Sequence, residues 1–140
     1  MKLLLDSSVI IFRFEQPHSN SRIVFDAIIE GRLQGVVSEK AIEEVKKVLS
    51  YRNGEKFAYL TEDLIRRNFE VIPLKKVEKE TEKWKGKIKE KDLAHLATAK
   101  ALGLKFIVAL DRDFAPFKEY HTPKKFVENV LKLKGFESEY

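Results

Sequence analysis

Short apolar runs alternate with longer stretches of helical periodicity along this chain, and that rhythm predicts most of its elements. Lys2–Leu5 (KLLL) opens it as a buried strand. Residues 21–31 place Ile23, Val24, Ala27 and Ile28 at helical spacing and stop at Gly31. Gly35–Val37 is a second short strand, and Ser38 offers an N-cap to a helix that runs to about Leu49. Asn53-Gly54 breaks that helix, and another covers roughly residues 55–68. Glu70–Leu74 (EVIPL) reads as a third strand, with Pro73 favouring its end. A Lys- and Glu-rich helix follows, interrupted at Gly86. The helix from Asp92 to Leu102 ends at Gly103, a residue suited to the left-handed turn that closes helices. Lys105–Leu110 (KFIVAL) is the clearest buried strand, and Thr122-Pro123 caps and starts a last helix through Leu133.

Strands alternating with helices at this pace imply a parallel sheet covered on both faces. Right-handed crossovers then make a doubly wound, three-layer α/β/α sandwich the expected fold, with a central, mostly parallel sheet of about five strands. No repeat, low-complexity tract or linker divides the chain, so residues 1–140 are expected to form a single domain. Hydrophobic residues make up 44% of it, enough for a real core. No apolar run reaches the roughly 18 residues of a membrane span, and MKLLLD is too short for a secretory leader. The expectation is a soluble, cytoplasmic protein with no membrane partner.

Composition narrows the chemistry. With no cysteine, the chain has no disulfide framework, zinc-thiolate site, iron–sulfur cluster or cysteine nucleophile. It carries neither a Walker A loop nor a GxGxxG turn. The net charge is +5, and residues 75–91, with eight Lys and four Glu, supply +4 of it. A solvated helix face with Glu–Lys pairs accounts for that run, while the surplus also permits a polyanionic partner. The 35% content of charged residues fits a heat-adapted protein.

The acidic residues are more specific. Ligand crevices of open α/β sheets lie beyond the carboxyl ends of the strands. Asp6 directly follows the first strand, and Asp111 directly follows KFIVAL, with Asp113 two residues on. Each alone reads as an Asx turn or helix cap; together they point to a site. On a helical wheel, Ala41, Ile42, Val45, Val48 and Leu49 form the apolar arc, with Glu43 nearly opposite and Glu44 on its shoulder. Glu44 is therefore the candidate from that helix. Asp92 reads as a helix cap on its own, but the small residues Ala94, Ala97, Ala99 and Ala101 behind it permit close packing that brings it near the strand ends. His95, one turn on, is left outside the set as a structural or exposed histidine. Four converging carboxylates form an oxygen-ligand site for Mg²⁺ or Mn²⁺, suited to phosphodiester hydrolysis. Assigning those four to one pocket leaves +9 on the rest of the chain.

These residues resemble the motifs of the PIN-domain family, in particular of VapC-type toxins, nearly end to end. Asp6-Ser7-Ser8 is similar to the first acidic motif, SEKAIEEVKKVL with Glu44 to the second, Asp92 and its Ala-rich helix to the third, and ALDRDF to the fourth. TPKKFV resembles the family's last helix. The resemblance implies a Mg²⁺- or Mn²⁺-dependent endoribonuclease acting on single-stranded RNA, an antitoxin as partner, and a homodimer. Asp6, Glu44, Asp92 and Asp111 would be the catalytic metal ligands, with Asp113 and Ser8 assisting. Arg112 and some of the 75–91 lysines would hold RNA. Phe12, Phe14 and Trp84 are read first as core or rim residues and, where exposed, as candidates for an interface. One departure stands out: a hydroxyl residue usually lies two before the fourth acid, and here it is Ala109. The alternatives are a catalytically weak or inactive PIN-like RNA-binding or scaffold protein, and a haloacid-dehalogenase-like phosphatase. The latter wants a second Asp where Ser8 stands.

Overall fold

The computed structural model describes residues 1–140. Its element order is β1 (Lys2–Leu5), α1 (Ser7–Glu15), α2 (Asn20–Ile29), β2 (Gln34–Ser38), α3 (Glu39–Asn53), α4 (Glu55–Asn68), β3 (Phe69–Ile72), a 3₁₀ turn (Leu74–Val77), α5 (Glu78–Trp84), α6 (Glu90–Ala101), β4 (Ile107–Val108), a 3₁₀ turn (Arg112–Phe114), β5 (Tyr120–His121) and α7 (Pro123–Lys125). A π-helical turn, Phe126–Val130, continues α7. The five strands are all parallel, in the order β3-β2-β1-β4-β5. This is the three-layer α/β/α architecture that the sequence pattern predicts.

Alternation along the strands divides the interior in two. Leu3, Leu5, Val37 and Val108 join a core of 20 buried residues beneath α1 to α4 and the C-terminal turn. Their neighbours Leu4, Val36, Ile107 and Ala109 enter a second core of 11 residues beneath α5 and α6. A sheet with both faces buried shows continuous apolar strands, as KLLL and KFIVAL do. At Gly35 a Cβ would stand 2.6 Å from the Phe69 ring, so that ring lies directly over β2 only because the position has no side chain. No helix is long and apolar enough to cross a membrane.

Several details depart from the sequence reading. Helix α1 lies in SSVIIFRFE, a β-branched and aromatic run with weak helical character. Asp6 caps it, and burial of Val9 and Ile10 fixes it in place. The KFIVAL run is a strand only at Ile107–Val108, because its neighbour β5 is itself two residues long. The last helix changes to a π-turn after Lys125 instead of running to Leu133. Phe14 packs edge-on against Phe25 and Phe57, and Trp84 against Phe117. The most exposed large hydrophobic side chains are Tyr51, Tyr59 and Leu60.

Candidate metal centre

Parallel strands end on one edge, and register decides which residues meet there. Leu4 pairs with Val36 and Leu5 with Val108, so Asp6 stands level with Ser38 and Ala109. Beyond this edge a cleft of about 970 Å³ is lined by Asp6, Ser7, Ser8, Glu44, Lys91, Asp92 and Asp111, and it extends along α3 past Lys47, Tyr51 and Arg52.

Asp6 divides its two oxygens. Oδ2 accepts from the backbone N–H of Ser8 (3.2 Å) and from the Ser8 hydroxyl (2.5 Å), capping α1. Oδ1 is buried with no hydrogen-bond partner. The Ser8 hydroxyl in turn accepts from the Leu110 N–H at 3.2 Å, tying the end of β1 to the chain leaving β4. Ala109 points instead into the core under α6, so at this edge the hydroxyl beside Asp6 comes from Ser8.

Glu44 lies half-buried on the shoulder of α3, while Glu43 faces water. Its Oε1 accepts from the Ser7 hydroxyl at 3.0 Å and meets His95 Nε2 at 2.9 Å. His95 is 1% exposed; its Nδ1 lies 2.7 Å from Ser38 Oγ, and its Nε2 is 3.6 Å from Asp6 Oδ1. Burial disfavours the imidazolium, but the hydrogen bond to Glu44 and the charges of Asp6, Glu44 and Asp92 outweigh it and raise the His95 pKa. Burial likewise pushes Glu44 up, and the bond to His95 outweighs it, holding the carboxyl below its ordinary value. Sequence reasoning left His95 and Ser7 out of the site. Their partners lie 51 and 37 residues away in the chain. The available signal was position: His95 follows Asp92 by one turn on the same helix.

Helix α6 begins at Glu90, two residues before the expected start, so Asp92 is not its cap but the third residue of its first turn. The Lys40 ammonium holds the carbonyls of Glu90 and Lys91, anchoring this turn to α3. Asp92 is 4% exposed and its Oδ2 has no hydrogen-bond partner. Burial, then the charges of Asp111 and Asp6, push its pKa up to about 7. Asp111 accepts from the Asp113 N–H through Oδ1 (2.9 Å) and from the Lys91 ammonium through Oδ2 (2.5 Å). Burial raises its pKa, but the Lys91 bond leads the groups that hold it below the ordinary carboxylate range. Asp92, Asp111 and Asp113 each offer an oxygen, the three lying within 4.8 Å of one another. Arg112 points away from them, its guanidinium 4.2 Å from the centre of the Tyr140 ring.

The donor set suits a hard divalent cation. It consists of carboxylates, two of them with a buried oxygen that has no hydrogen-bond partner, and burial together with the charges of Asp111 and Asp6 has raised the pKa of Asp92. A cation relieves both conditions.

A parallel five-stranded sheet in this order, with acids from β1, α3, α6 and the β4 end on one edge, defines a PIN-type α/β domain. The PIN domain family model matches residues 2–113, and the chain belongs to that family. It is similar in fold to a chain of a toxin–antitoxin complex from Klebsiella pneumoniae, with 20% identity, a TM-score of 0.68 and coverage of 86% of this chain and 97% of that one. VapBC-1 from nontypeable Haemophilus influenzae aligns with 17% identity, a TM-score of 0.66 and coverage of 89% and 100%. Mycobacterium tuberculosis VapC20, described as a Sarcin-Ricin loop cleaving toxin, gives 15% identity, a TM-score of 0.62 and coverage of 81% and 93%. Comparison with curated protein sequences returns no match.

Proposed function

We propose that the protein is a Mg²⁺- or Mn²⁺-dependent endoribonuclease that hydrolyses single-stranded RNA, the toxin of a toxin–antitoxin pair. The observation that carries this reading is the pair of buried, unpartnered oxygens, Asp6 Oδ1 and Asp92 Oδ2, on residues lining one cleft beside Asp111. The similar folds from toxin–antitoxin complexes, and the cleaving activity in the description of one neighbour, support it. Asp6, Glu44, Asp92 and Asp111 would hold the metal, with Asp113 and Ser8 contributing. When bound, a divalent cation lowers the pKa of an attacking water and neutralises charge on the leaving oxygen.

The chain's own groups do the positioning. Ser8 orients Asp6, while Ser7 and His95 hold Glu44 through one oxygen. Lys47 and Arg52 line the cleft beside Tyr51, which is 92% exposed. Cations alternating with an aromatic face suit phosphates and an unstacked base. The exposed Tyr59 and Leu60 on α4 are a surface for a second copy or an antitoxin.

Asp6→Asn tests the assignment. An amide keeps the cap on α1 through its oxygen but places no carboxylate charge in the cleft. The expected outcome is loss of Mn²⁺-dependent cleavage of single-stranded RNA with an unchanged circular dichroism spectrum. Undiminished cleavage by this variant overturns the metal-centre assignment. Absence of both Mn²⁺ binding and cleavage in the unaltered protein would favour a scaffold.

A further inference from the structure

One cation already stands among the acids. Lys91 Nζ donates to Asp111 Oδ2 at 2.5 Å and lies within ion-pair distance of Asp92 Oδ2 (3.8 Å) and Asp113 Oδ2 (3.9 Å), facing all three carboxylates of the acidic group. Lys89 also pairs with Asp113, its Nζ 3.4 Å from Oδ2. The position of Lys91 has no helical explanation: it is the second residue of α6, where the macrodipole favours acids and disfavours a cation. Its side chain is 59% exposed, so the stem can swing into solvent without opening any packing. The Lys40 bonds to the carbonyls of Glu90 and Lys91 meanwhile keep the backbone of this turn in place.

We propose that Lys91 is the resident counter-cation of the Asp92–Asp111–Asp113 group, that a divalent metal must displace its ammonium to bind, and that the displaced ammonium then holds a phosphate of the RNA at the cleft mouth. This rests on reading the acids as a metal centre. A compact 2+ charge cannot share the space between these oxygens with an ammonium 2.5 Å from one of them. A metal on these oxygens would take the place of the Lys91 hydrogen bond to Asp111 and of its ion pairs with Asp92 and Asp113, and would cancel most of the charge that draws the ammonium in. The nearest polyanion is then the substrate backbone. The lysine thus serves as a charge placeholder in the metal-free protein and as a phosphate contact in the loaded one.

Calorimetric titration with Mn²⁺ reads the first half directly, without RNA. Lys91→Met keeps the stem and removes the charge, and is expected to lower the Mn²⁺ dissociation constant about three- to tenfold, the worth of one partly exposed ion pair. Lys91→Arg, which retains a cation, is expected to bind Mn²⁺ no more tightly than the unaltered protein. At saturating Mn²⁺, Lys91→Met is expected to raise KM for a single-stranded RNA about three- to tenfold with little change in kcat. Equal or weaker Mn²⁺ binding by Lys91→Met overturns the competition, and an unchanged KM overturns the phosphate role. If the unaltered protein binds Mn²⁺ and Asp111→Asn does not, the metal centre stands whatever Lys91→Met shows. If the unaltered protein binds none, the metal-centre reading and the role of Lys91 fall together.

Discussion

Replacing Asp92 by Asn should make the metal-free protein more stable while removing its response to metal. In the fold, burial and the charges of Asp111 and Asp6 raise the Asp92 carboxyl to about 7, against an ordinary value of 3.8. Between about pH 4 and pH 7 the folded chain therefore binds a proton that the unfolded chain does not. Stability from this group falls as pH rises through that window and levels off above it. A gap of about three pH units corresponds to ~4 kcal/mol at pH 8. Relaxation of the exposed rim and rearrangement of Lys91 reduce what is realised, so about 2–4 kcal/mol is expected. For a chain of this length, with an unfolding entropy of ~0.3 kcal/mol/K, that is a rise in Tm of about 7–14 °C.

The asparagine is nearly isosteric with the protonated carboxyl, but at pH 5 the unfolded Asp92 is already ionised, so the variant should still melt about 3–5 °C higher there, well under the gap at pH 8. His95 has a raised pKa, so its contribution is complete below about 6.5 and fades as pH climbs through its folded value. The Asp92 charge is the smallest of the causes that raise that pKa, so most of this contribution is common to both proteins and cancels in the difference. The assay is thermal melting followed by circular dichroism in EDTA at pH 5 and pH 8, then with Mn²⁺ at pH 8. Mn²⁺ should raise the Tm of the unaltered protein and leave that of the variant nearly unmoved. A variant that melts at or below the unaltered protein at pH 8 in EDTA would refute the reasoning. It would mean that the first turn of α6 stabilises the Asp92 charge more than its neighbours repel it.

Two further substitutions probe what holds the site and the chain end. His95→Ala empties a fully buried position and strips Glu44 and Ser38 of a shared partner. A loss of about 3 kcal/mol in urea unfolding is expected, with Mn²⁺ affinity weakened roughly 10- to 100-fold; an unchanged affinity would show that Glu44 orients itself. Glu139→Ala removes a buried carboxylate that accepts from the Asn20 and Ser21 N–H groups and the Ser21 hydroxyl at the start of α2. That should cost about 2–3 kcal/mol and raise proteolysis after residue 134, with release of the tail to solvent setting the ceiling. A Tm within 2 °C of the unaltered protein would contradict it.

The parts of the fold legible in the sequence were those carried by periodicity. Continuous apolar strands marked a sheet buried on both faces, and strand ends located Asp6 and Asp111 before any geometry was known. The wheel separated Glu44 from Glu43 because one face of α3 must pack. What escaped were features set by tertiary contact. The run SSVIIFRFE favours a strand residue by residue, and becomes α1 because Asp6 caps it and Val9 and Ile10 find the core. β5 is two residues long and shows no period; its ladder to β4 alone defines it. A single histidine in an Ala-rich helix carries no mark of its partners, and only the approach of α3, α6 and β2 places His95 between Glu44 and Ser38.

Cap and the proposed ligand role look like competing uses of these acids, but their geometry makes the two compatible. A carboxylate has two oxygens, and a tether on one sets the direction of the other. Asp6 spends Oδ2 on Ser8 and leaves Oδ1 bare; Asp111 spends Oδ1 on the N–H of Asp113, and Lys91 takes its Oδ2; both bonds to Glu44 fall on Oε1. Each cap thus removes rotational freedom that a free side chain would lose on binding a cation, so capping pre-organises the donor set. Ala at position 6 would therefore remove a tether and a charge together, whereas Asn removes the charge alone. A cleavage defect shared by both variants, with an unchanged Tm only in the Asn form, would separate the oxygen that supports the helix from the one left without a hydrogen-bond partner.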